Sequence, residues 1–402
     1  MGLALLVSGV HTEAQAVDFS LPLGDRDLIE VRTSETLSPG VQLVRIERGA
    51  EPAPADQIAT TRRGPWRINV VSIDPATARG QLSATYGPDL SRVETTTRLA
   101  GYAGAVAGVN ASYFTFTRNP LYPGDPVGLG LYRGQLLSEP AATSTEVDFV
   151  VDAKSKKVMI GRLTWSGAMR NRSTDKTMAL EYLNHPPVVP SACRTRKDQT
   201  NCAKSGDVVH FTRAFGATTP AGYGIEVVLS GSGCVVKRLT KRGTALAAGQ
   251  TSLQATGRQT RALVRLTKKG CLSRRLSLFD ETRKPVKMTS SLFGVAGRYR
   301  LTRQGKVVVP SVRGAFAARN PRTLVGTTAE GKIALVTIDG RQATSVGTTL
   351  AETAAVAQSL GLTDAVNLDG GASATLTAAG QLINYPSGGR ERAVGDALVY
   401  VP

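Results

Sequence analysis

Short apolar runs separated by turn residues recur along the chain, and two of the clearest lie near its end. Residues 332–338 and 365–368 are β-rich apolar runs, and each predicts a buried strand. Between them, residues 349–360 place leucine and alanine near helical spacing, with glutamate in the first turn and glycine as the stop, so they predict a helix. Asp339 and Asp369 therefore stand at the ends of two strands that a helix joins.

The first third of the chain shows the same kind of pattern. Residues 66–73 predict a strand, residues 95–103 a short helix, and residues 106–110 a further strand. Residues 115–134 are rich in proline, glycine and tyrosine and predict a long loop, and loops of that length are often functional. Asp125 is the carboxylate of this loop best placed to reach a site, although a turn aspartate is the simpler interpretation.

The middle of the chain predicts strands rather than helices. Residues 146–162 and 207–269 consist of short β runs with turns between them, and residues 262–266 are one such run. No strong helical pattern is found there. Taken with the tail, this pattern predicts an α+β fold with extensive mixed or antiparallel β-sheet and a few packed helices.

The chain divides into segments of different character. Residues 1–16 predict a signal peptide with an incomplete n-region, since an apolar run precedes an Ala-x-Ala site but no positive charge precedes the run; a flexible terminus is the alternative. This run is too short to span a bilayer as a helix, and no other apolar stretch of about twenty residues occurs. Residues 17–64 predict an N-terminal lead-in that pairs with the main body, and residues 65–402 one large domain.

Positive charge is concentrated in one part of the chain. The formal net charge is +18, and residues 190–310 contain 23 Lys and Arg against 5 Asp and Glu, so the remainder is balanced. Such a surface attracts anionic partners. A specific nucleic acid is disfavoured by the scarcity of aromatics and the lack of a known binding motif. An anionic envelope polymer fits an exported protein, while a solvated face that serves solubility is the plain alternative.

All four cysteines lie in this basic segment, and an even number in one segment predicts two disulfides and an exported protein. Of three connectivities, the local pairing Cys193–Cys202 with Cys234–Cys271 is favoured. A zinc site is disfavoured, because no Cys-x-x-Cys occurs and only one histidine is near.

Polar residues gather where the predicted elements of the tail end. An isolated Asp-Gly pair is usually a hairpin turn, but functional groups also collect on loops held by a rigid scaffold. The tail motifs, in order, are Asn320-Pro321-Arg322-Thr323, Asp339-Gly340-Arg341, Asn367-Leu368-Asp369-Gly370-Gly371-Ala372-Ser373, Asn384-Tyr385-Pro386-Ser387 and Glu391-Arg392. No histidine lies in them, which argues against Ser-His-Asp or Cys-His nucleophilic chemistry.

In this order the motifs resemble those of the phosphodiester glycosidase family. The run Gly108-Val109-Asn110-Ala111-Ser112-Tyr113-Phe114 is similar to the early motif of the family, and the match extends coarsely from about residue 65 to the end. Two departures occur. Ala111 and Ser112 stand where the family more often has glycine, and Ala372 replaces a third glycine after the aspartate.

The resemblance implies a glycosidase that works with carboxylates, amides and arginines. Glycoside cleavage commonly uses a pair of carboxylates, and Asp369 is the first candidate for catalytic acid or base, with Asp339 the second. Arg322 and Arg341 are candidates to hold a phosphate, because the guanidinium fork matches its oxygens. Ion pairs of these arginines with Asp339 or Asp369 are the structural alternative.

Further substrate-binding candidates come from the same motifs; they are Asn110, Asn367, Gly370, Gly371, Ser373 and Arg392. No cofactor is implied with certainty. Asp339 and Asp369 also offer oxygen ligands of the kind that Ca²⁺ and Mg²⁺ prefer, so a metal at either is left open.

The sequence therefore predicts a secreted or envelope-associated hydrolase that cleaves a sugar linked through a phosphodiester, or a related envelope glycan, by acid/base catalysis. A non-catalytic protein that binds envelope polysaccharide or anionic polymer is the alternative. A nucleic-acid phosphodiesterase is disfavoured, because the His/Asp cluster of two-metal chemistry is missing. The sugar, the aglycone and the stereochemistry are not fixed by the sequence.

Overall fold

The computed structural model of the protein describes residues 20–402. The predicted signal peptide, residues 1–16, lies outside the described residues. Three α-helices are described: α1 Thr96–Ala103, α2 Gln259–Leu266 and α3 Leu350–Ser359. The strands are β1 Glu30–Ser38, β2 Val41–Arg48, β3 Trp66–Ile73, β4 Gln81–Thr85, β5 Glu94–Thr95, β6 Ala107–Asn110, β7 Gly130–Tyr132, β8 Gln135–Ser138, β9 Glu146–Asp152, β10 Val158–Gly161, β11 Thr164–Asn171, β12 Thr177–Ala179, β13 Tyr182–Leu183, β14 Val208–Phe211, β15 Ile225–Leu229, β16 Val235–Leu239, β17 Thr251–Ala255, β18 Leu272–Phe279, β19 Pro285–Val286, β20 Leu292–Arg298, β21 Arg300–Arg303, β22 Lys306–Val307, β23 Arg322–Thr328, β24 Ile333–Ile338, β25 Leu362–Asn367, β26 Leu376–Ala378, β27 Gln381–Leu382, β28 Ala393–Val394 and β29 Ala397–Val401.

Most of these strands belong to antiparallel sheets. The large sheet has the order β1-β2-β3-β24-β23-β25-β21-β22, and the site sheet has the order β27-β26-β6-β29-β4. The bridging sheet has the order β10-β9-β20-β7-β8. Two further sheets, β12-β11-β18-β19 and β13-β14-β17-β15-β16, form what we call the insert, and β28 pairs with β5. Across the described residues only β13 and β14 pair in parallel, so the predicted fold class, mixed or antiparallel sheet with few helices, is confirmed.

The central strands of the large sheet are buried on both faces. One face packs on the site and bridging sheets in a core that includes Val71, Leu335 and Val366. The other face packs under α3 in a core that includes Ile68 and Leu324. Because both faces are covered, these strands are nearly continuous apolar runs, which is why the sequence pattern located them.

The predicted unit of strand, helix and strand in the tail is confirmed. Thr349 caps α3, and Glu352 completes a capping box by accepting a hydrogen bond from the backbone N–H of Thr349. Ala354 and Ala357 turn their side chains into the core beneath the large sheet. The helix thus connects β24 to β25.

The predicted strand at residues 262–266 is wrong, since these residues form the second half of α2. Leu263 and Leu266 are buried, three residues apart, whereas Arg261 and Arg265 are exposed. This is the spacing of one helical face. An apolar run this short is compatible with a helix or a strand. The burial of Leu263 and Leu266 in the core of the insert favours the helix.

The insert has its own hydrophobic core, built from its two sheets, α2 and one face of the bridging sheet. Both predicted disulfides are present there, Cys193–Cys202 and Cys234–Cys271. At the other end of the chain, β1 and β2 of the lead-in extend the large sheet by pairing with β3. Within residues 20–402, no helix is long and apolar enough to cross a membrane.

Candidate active site

The predicted motifs at the two ends of the domain meet at the edge of the site sheet. Asn110 ends β6 and is fully buried. Its Nδ2 donates to the backbone carbonyl of Asp369 at 2.6 Å, while its Oδ1 accepts from Thr323 Oγ1 at 2.7 Å and from the Thr375 N–H at 3.0 Å. One amide side chain therefore joins three separate segments and holds the Asp369 turn in place.

A buried carboxylate anchors the next part of the same motif. Asp396 accepts hydrogen bonds from the Ser112 N–H at 2.6 Å, from Ser112 Oγ at 2.7 Å and from the Tyr132 hydroxyl at 2.8 Å. Ser112 stands where the family that this motif resembles more often has glycine, and its hydrogen bonds to Asp396 show what the serine contributes here. The loop that follows is directed over Asp369.

Asp369 lines a pocket of about 210 Å³ on the surface. The other residues of the lining are Tyr113, Phe114, Thr115, Phe116, Arg118, Val127, Arg298, Ser373 and Arg392. Among the described residues, Asp369 is the only carboxylate in this lining, and three arginines accompany it. The pocket is therefore aromatic and positively charged around one acid.

Two glycines shape the turn that carries Asp369. A Cβ on Gly370 would lie 2.8 Å from the Pro321 carbonyl oxygen, which is too close for any side chain. Gly371 has a φ of +62°, a conformation that glycine adopts without strain. It starts the single 3₁₀ turn, Gly371–Ser373, that brings Ser373 back to the aspartate. The predicted role of both glycines as substrate contacts stays a prediction.

The charge state of Asp369 is set by opposing effects. Burial raises the pKa of this carboxyl from 3.8 to about 6, and the Ser373 hydroxyl and the positive charges of Arg392 and Arg298 limit the rise. A carboxyl with a pKa near 6 is mostly ionised at neutral pH but can still accept a proton.

The arginines of the pocket are held against aromatic rings. Arg298 lies over the Tyr113 ring at 4.5 Å, and Arg392 lies over the Phe116 ring at 4.8 Å. Tyr113 donates its hydroxyl hydrogen to the Leu368 carbonyl at 3.1 Å. Guanidinium groups stacked in this way keep their N–H donors for a ligand.

Asn367 supports the pocket from below. Its Nδ2 donates to the Tyr113 hydroxyl at 2.9 Å and to the Leu368 carbonyl at 2.8 Å, and the side chain is buried. The structure thus places Asn367 and Asn110 beneath Asp369, while Ser373 and Arg392 join Asp369 in the lining. The roles predicted for all of them remain untested.

Asp339 lies apart from this pocket lining. Its Oδ1 accepts from Asn384 Nδ2 at 3.0 Å and its Oδ2 accepts from the Tyr385 N–H at 3.0 Å. Burial raises its pKa from 3.8 to about 6, and these two hydrogen bonds lower it. The carboxylate therefore fixes the loop that carries Asn384 and Tyr385.

The two arginines predicted to hold a phosphate also lie outside the pocket lining. Arg322 is 3% exposed and donates to the carbonyls of Thr348, Phe316 and Ala318 at 2.8–3.1 Å. Arg341 is exposed and donates to Asn320 Oδ1 from Nε and Nη2, at 3.0 and 2.6 Å. Neither arginine makes the ion pair with Asp339 or Asp369 that was the structural alternative.

Asp125 occupies a third kind of setting. It is 1% exposed, and its Oδ2 lies 2.6 Å from Nδ1 of His185. Its backbone carbonyl accepts the Thr115 N–H at 3.0 Å, so the pair fixes the loop that forms one wall of the pocket. Burial raises the pKa of Asp125, and hydrogen bonding to His185 opposes that rise.

Sequence reasoning missed Arg298, Arg118, Tyr113 and Phe116 as members of the site. Tyr113 and Phe116 lie in or just after the early motif, whose aromatic content was a usable signal. Arg298 ends β20, a strand without a motif, and only its position in space identifies it. As for metals, no group of three or more His, Cys, Asp or Glu side chains suited to an ion occurs within residues 20–402.

Known proteins similar to this chain agree with this architecture. A "putative exported protein" of Burkholderia pseudomallei has a crystal structure with a TM-score of 0.79 and 25% identity, covering 97% of this chain and 100% of that one. A hypothetical protein from Synechocystis gives a TM-score of 0.67 at 16% identity, covering 97% of this chain and 81% of that one.

A curated relative matches over a shorter stretch. The SPbeta prophage-derived uncharacterized protein YomE of Bacillus subtilis is 38% identical over 80 residues, which are 20% of this chain and only 12% of that protein. The model of the phosphodiester glycosidase family matches residues 223–401, a segment that includes Asp369, Ser373 and Arg392. Over this segment, which is less than half of the chain, the protein is similar to the phosphodiester glycosidase family.

Proposed function

We propose that the protein hydrolyses a sugar that is linked through a phosphodiester, and that Asp369 is its catalytic carboxylate. The observation that carries the proposal is the single acid of the pocket, flanked by Arg118, Arg298 and Arg392. A phosphodiester bears one negative charge at every pH where the fold exists, and arginine is well matched to its oxygens. The match of residues 223–401 to the model of the phosphodiester glycosidase family supports the same class of substrate.

In this proposal Asp369 acts in its ionised form. A phosphate ester is a good leaving group, so protonation of the leaving oxygen matters less than in ordinary glycosides. The carboxylate takes a proton from water as the water oxygen bonds to the anomeric carbon. The bond from that carbon to the phosphate oxygen breaks, and its electron pair leaves with the phosphate.

The surrounding residues keep the two partners in place. Arg298 and Arg392 hold the phosphate oxygens and stabilise the charge that grows on the departing group. Ser373 bonds the Asp369 carboxylate and orients it. Tyr113, Phe114 and Phe116 supply the aromatic part of the lining that a sugar would contact. Asn110 and Asn367 act as positioning residues beneath the turn.

We also propose that the protein works outside the cytoplasm. Its four cysteines form two disulfides, which persist in oxidising compartments. The Burkholderia pseudomallei protein that it resembles over nearly its whole length is described as exported. A secreted or envelope-associated location agrees with a glycan substrate.

A non-catalytic glycan-binding protein is the second candidate. Glycosidases commonly place two carboxylates around the scissile bond, whereas the lining of this pocket contributes only Asp369. The binding candidate predicts that the native protein retains ligand without turnover.

The test is release of free sugar from sugar-1-phosphodiesters and from neutral aryl glycosides by the purified protein. We expect turnover of the phosphodiesters, with loss of activity in Asp369→Asn and activity within about fivefold of native in Asp339→Asn. Cleavage of neutral glycosides alone would support a glycosidase but reject a phosphodiester as its substrate. The absence of turnover, with retained binding and with Ca²⁺ or Mg²⁺ added or chelated, would favour the binding protein.

The pH profile assigns the role of the carboxylate. If Asp369 acts ionised, kcat/KM falls as the pH drops through about 6, because the group becomes protonated. A fall as the pH rises through that value would instead make it the acid.

A further inference from the structure

A larger groove lies beside the pocket. It has a volume of about 720 Å³, and four arginines line it: Arg162, Arg300, Arg303 and Arg313. Tyr299 and the apolar residues Val308, Pro310 and Val312 form much of the rest. The groove belongs to the surface between the bridging sheet and the outer strands of the large sheet, and the proposed catalytic chemistry does not use it.

Its charge is only partly neutralised. Glu281 forms ion pairs with Arg300 at 3.0 Å and with Arg303 at 2.9 Å. Within residues 20–402, neither Arg162 nor Arg313 has a carboxylate within 4 Å. Glu281 is the single acid in the described lining, and Asp364, outside it, also pairs with Arg300 at 3.7 Å, so Arg162 and Arg313 are the lining cations without an ion-pair partner among the described residues. A concave surface of this sign concentrates anions.

The groove and the Asp369 pocket are lined in part by neighbouring residues. Arg298, in the pocket, and Tyr299, in the groove, are consecutive residues. The Phe316 ring lies between them, 5.0 Å from the Tyr299 ring and 6.5 Å from the Tyr113 ring of the pocket. A ligand that passes over Phe316 therefore reaches from one cavity to the other.

Tyr299 has the unusual backbone that makes this arrangement. Its φ is +68°, in the left-handed region that non-glycine residues seldom adopt. Its N–H donates to the Thr145 carbonyl at 2.8 Å, and its carbonyl accepts the Asn367 N–H at 3.2 Å. These bonds hold the turn between β20 and β21, which separates Arg298 on one side from Arg300 and Arg303 on the other.

A third cavity continues the groove and differs from it in chemistry. It has a volume of about 520 Å³, shares Ser144 and Arg162 with the groove, and contains Trp165 and the buried carboxyls of Glu146 and Asp148. Burial raises the pKa of both carboxyls. An aromatic ring in a lining whose described residues include a single shared arginine suits an uncharged sugar ring better than a second phosphate.

We propose that the groove binds a second anionic group of the same substrate, so that the protein acts on a glycan carrying several phosphodiesters rather than on a single sugar phosphodiester. This inference rests on the proposed function. Cavities that are cationic at Asp369, cationic in the groove and carboxyl-rich at Trp165 match a ligand in which charges are separated by neutral sugars. A nucleic acid carries a charge on every nucleotide, whereas the described lining of the third cavity offers one cation, Arg162, which it shares with the groove.

The kinetic test compares a synthetic oligosaccharide with four phosphodiester links with the corresponding single sugar-1-phosphodiester. The double variant Arg162→Gln/Arg313→Gln is expected to raise the KM for the four-phosphate oligomer roughly tenfold relative to the KM for the single phosphodiester. The control, Lys268→Gln/Lys269→Gln, removes the same charge from exposed residues of the insert and should leave that ratio unchanged. Equal effects of the two variants would overturn the inference.

A binding measurement separates this inference from the proposed function. Fluorescence anisotropy of the labelled oligomer with the Asp369→Asn protein needs no turnover, and the groove variant should weaken binding roughly tenfold in that background too. If the native protein hydrolyses neither substrate but the groove variant still binds the oligomer more weakly, the role of the groove in binding is supported and the proposed hydrolase activity is rejected. Equal groove-dependent binding of a labelled single-stranded DNA of the same charge would overturn the assignment to a glycan.

Discussion

Asp369 and Asp339 share an Asp-Gly sequence near the end of a strand but have different surroundings. Each follows a strand of the large sheet, each precedes glycine, and burial raises each pKa to about 6. Asp339 gives both carboxylate oxygens to N–H donors of Asn384 and Tyr385. Asp369 instead lines a pocket among arginines and aromatic rings.

This difference shows that a raised pKa does not by itself identify a catalytic group. Burial raises the pKa of a carboxyl whether it faces a ligand or only its own protein. The informative property is what the oxygens contact. A carboxylate whose two oxygens both accept hydrogen bonds from backbone and side-chain amide N–H groups stabilises a loop. A carboxylate that lines a cavity is available to a substrate.

The largest effect is expected at Asp369. Asp369→Asn removes the proton acceptor but keeps the shape, so kcat on a sugar-1-phosphodiester should fall by about 10²- to 10⁴-fold. Steady-state kinetics measures this change, and thermal unfolding should show that the fold is retained. If Asp339→Asn caused the larger loss of kcat, the assignment of the two acids would be reversed.

A smaller effect is expected at the arginines of the pocket. Arg298→Gln removes a charge-assisted contact to the phosphate and should lower kcat/KM about 10- to 100-fold. Arg341→Gln, which lies outside the lining, should lower it by less than about threefold. Comparing both variants on the phosphodiester tests the two arginines directly. A larger effect of Arg341 would restore the assignment that its motif predicts.

Asp339 should affect stability rather than turnover. Asp339→Asn disrupts the bonds to Asn384 and Tyr385 and should lower the free energy of unfolding by about 1–3 kcal/mol at pH 4–5. Because the pKa of Asp339 is raised in the folded state, the contribution of this carboxyl to stability is greatest below pH 3.8 and declines as the pH rises through about 6, where the buried group ionises. The difference between native and variant should therefore narrow above pH 6. Urea titrations at pH 4–5 and above pH 6 measure the free energy of unfolding of both proteins. A difference between native and variant that increases with pH would contradict the prediction.

The smallest effect concerns the pH profile of Asp369. Arg392 lowers the pKa of this carboxyl, so Arg392→Gln should raise it and move the acidic limb of kcat/KM to higher pH by up to about one unit. Arg392→Lys keeps the charge and should leave the limb in place. An unmoved limb in both variants would show that Arg392 acts on the substrate alone.

Sequence reasoning located the elements that a simple pattern describes. The run at residues 66–73 coincides with β3, and the capped helix of the tail coincides with α3 to within one residue. It did not locate α2, because an apolar run of five residues fits either period. The hydrogen-bond partners of Arg322 and Asp339 could not be predicted from the sequence either, because these partners lie on distant or irregular segments. Arg298 reaches the site only through strand pairing over more than a hundred residues.

The Ser112–Asp396 contact has a consequence for how the molecule is made. The pocket loop is fixed by a carboxylate that lies 284 residues later in the chain, immediately before β29, the last strand of the site sheet. During synthesis from the N-terminus, the loop that carries Tyr113 and Phe116 is synthesised long before Asp396, the carboxylate that fixes it. The site can therefore assemble only after nearly all of the chain has emerged, and a fragment shortened before Asp396 should lack it.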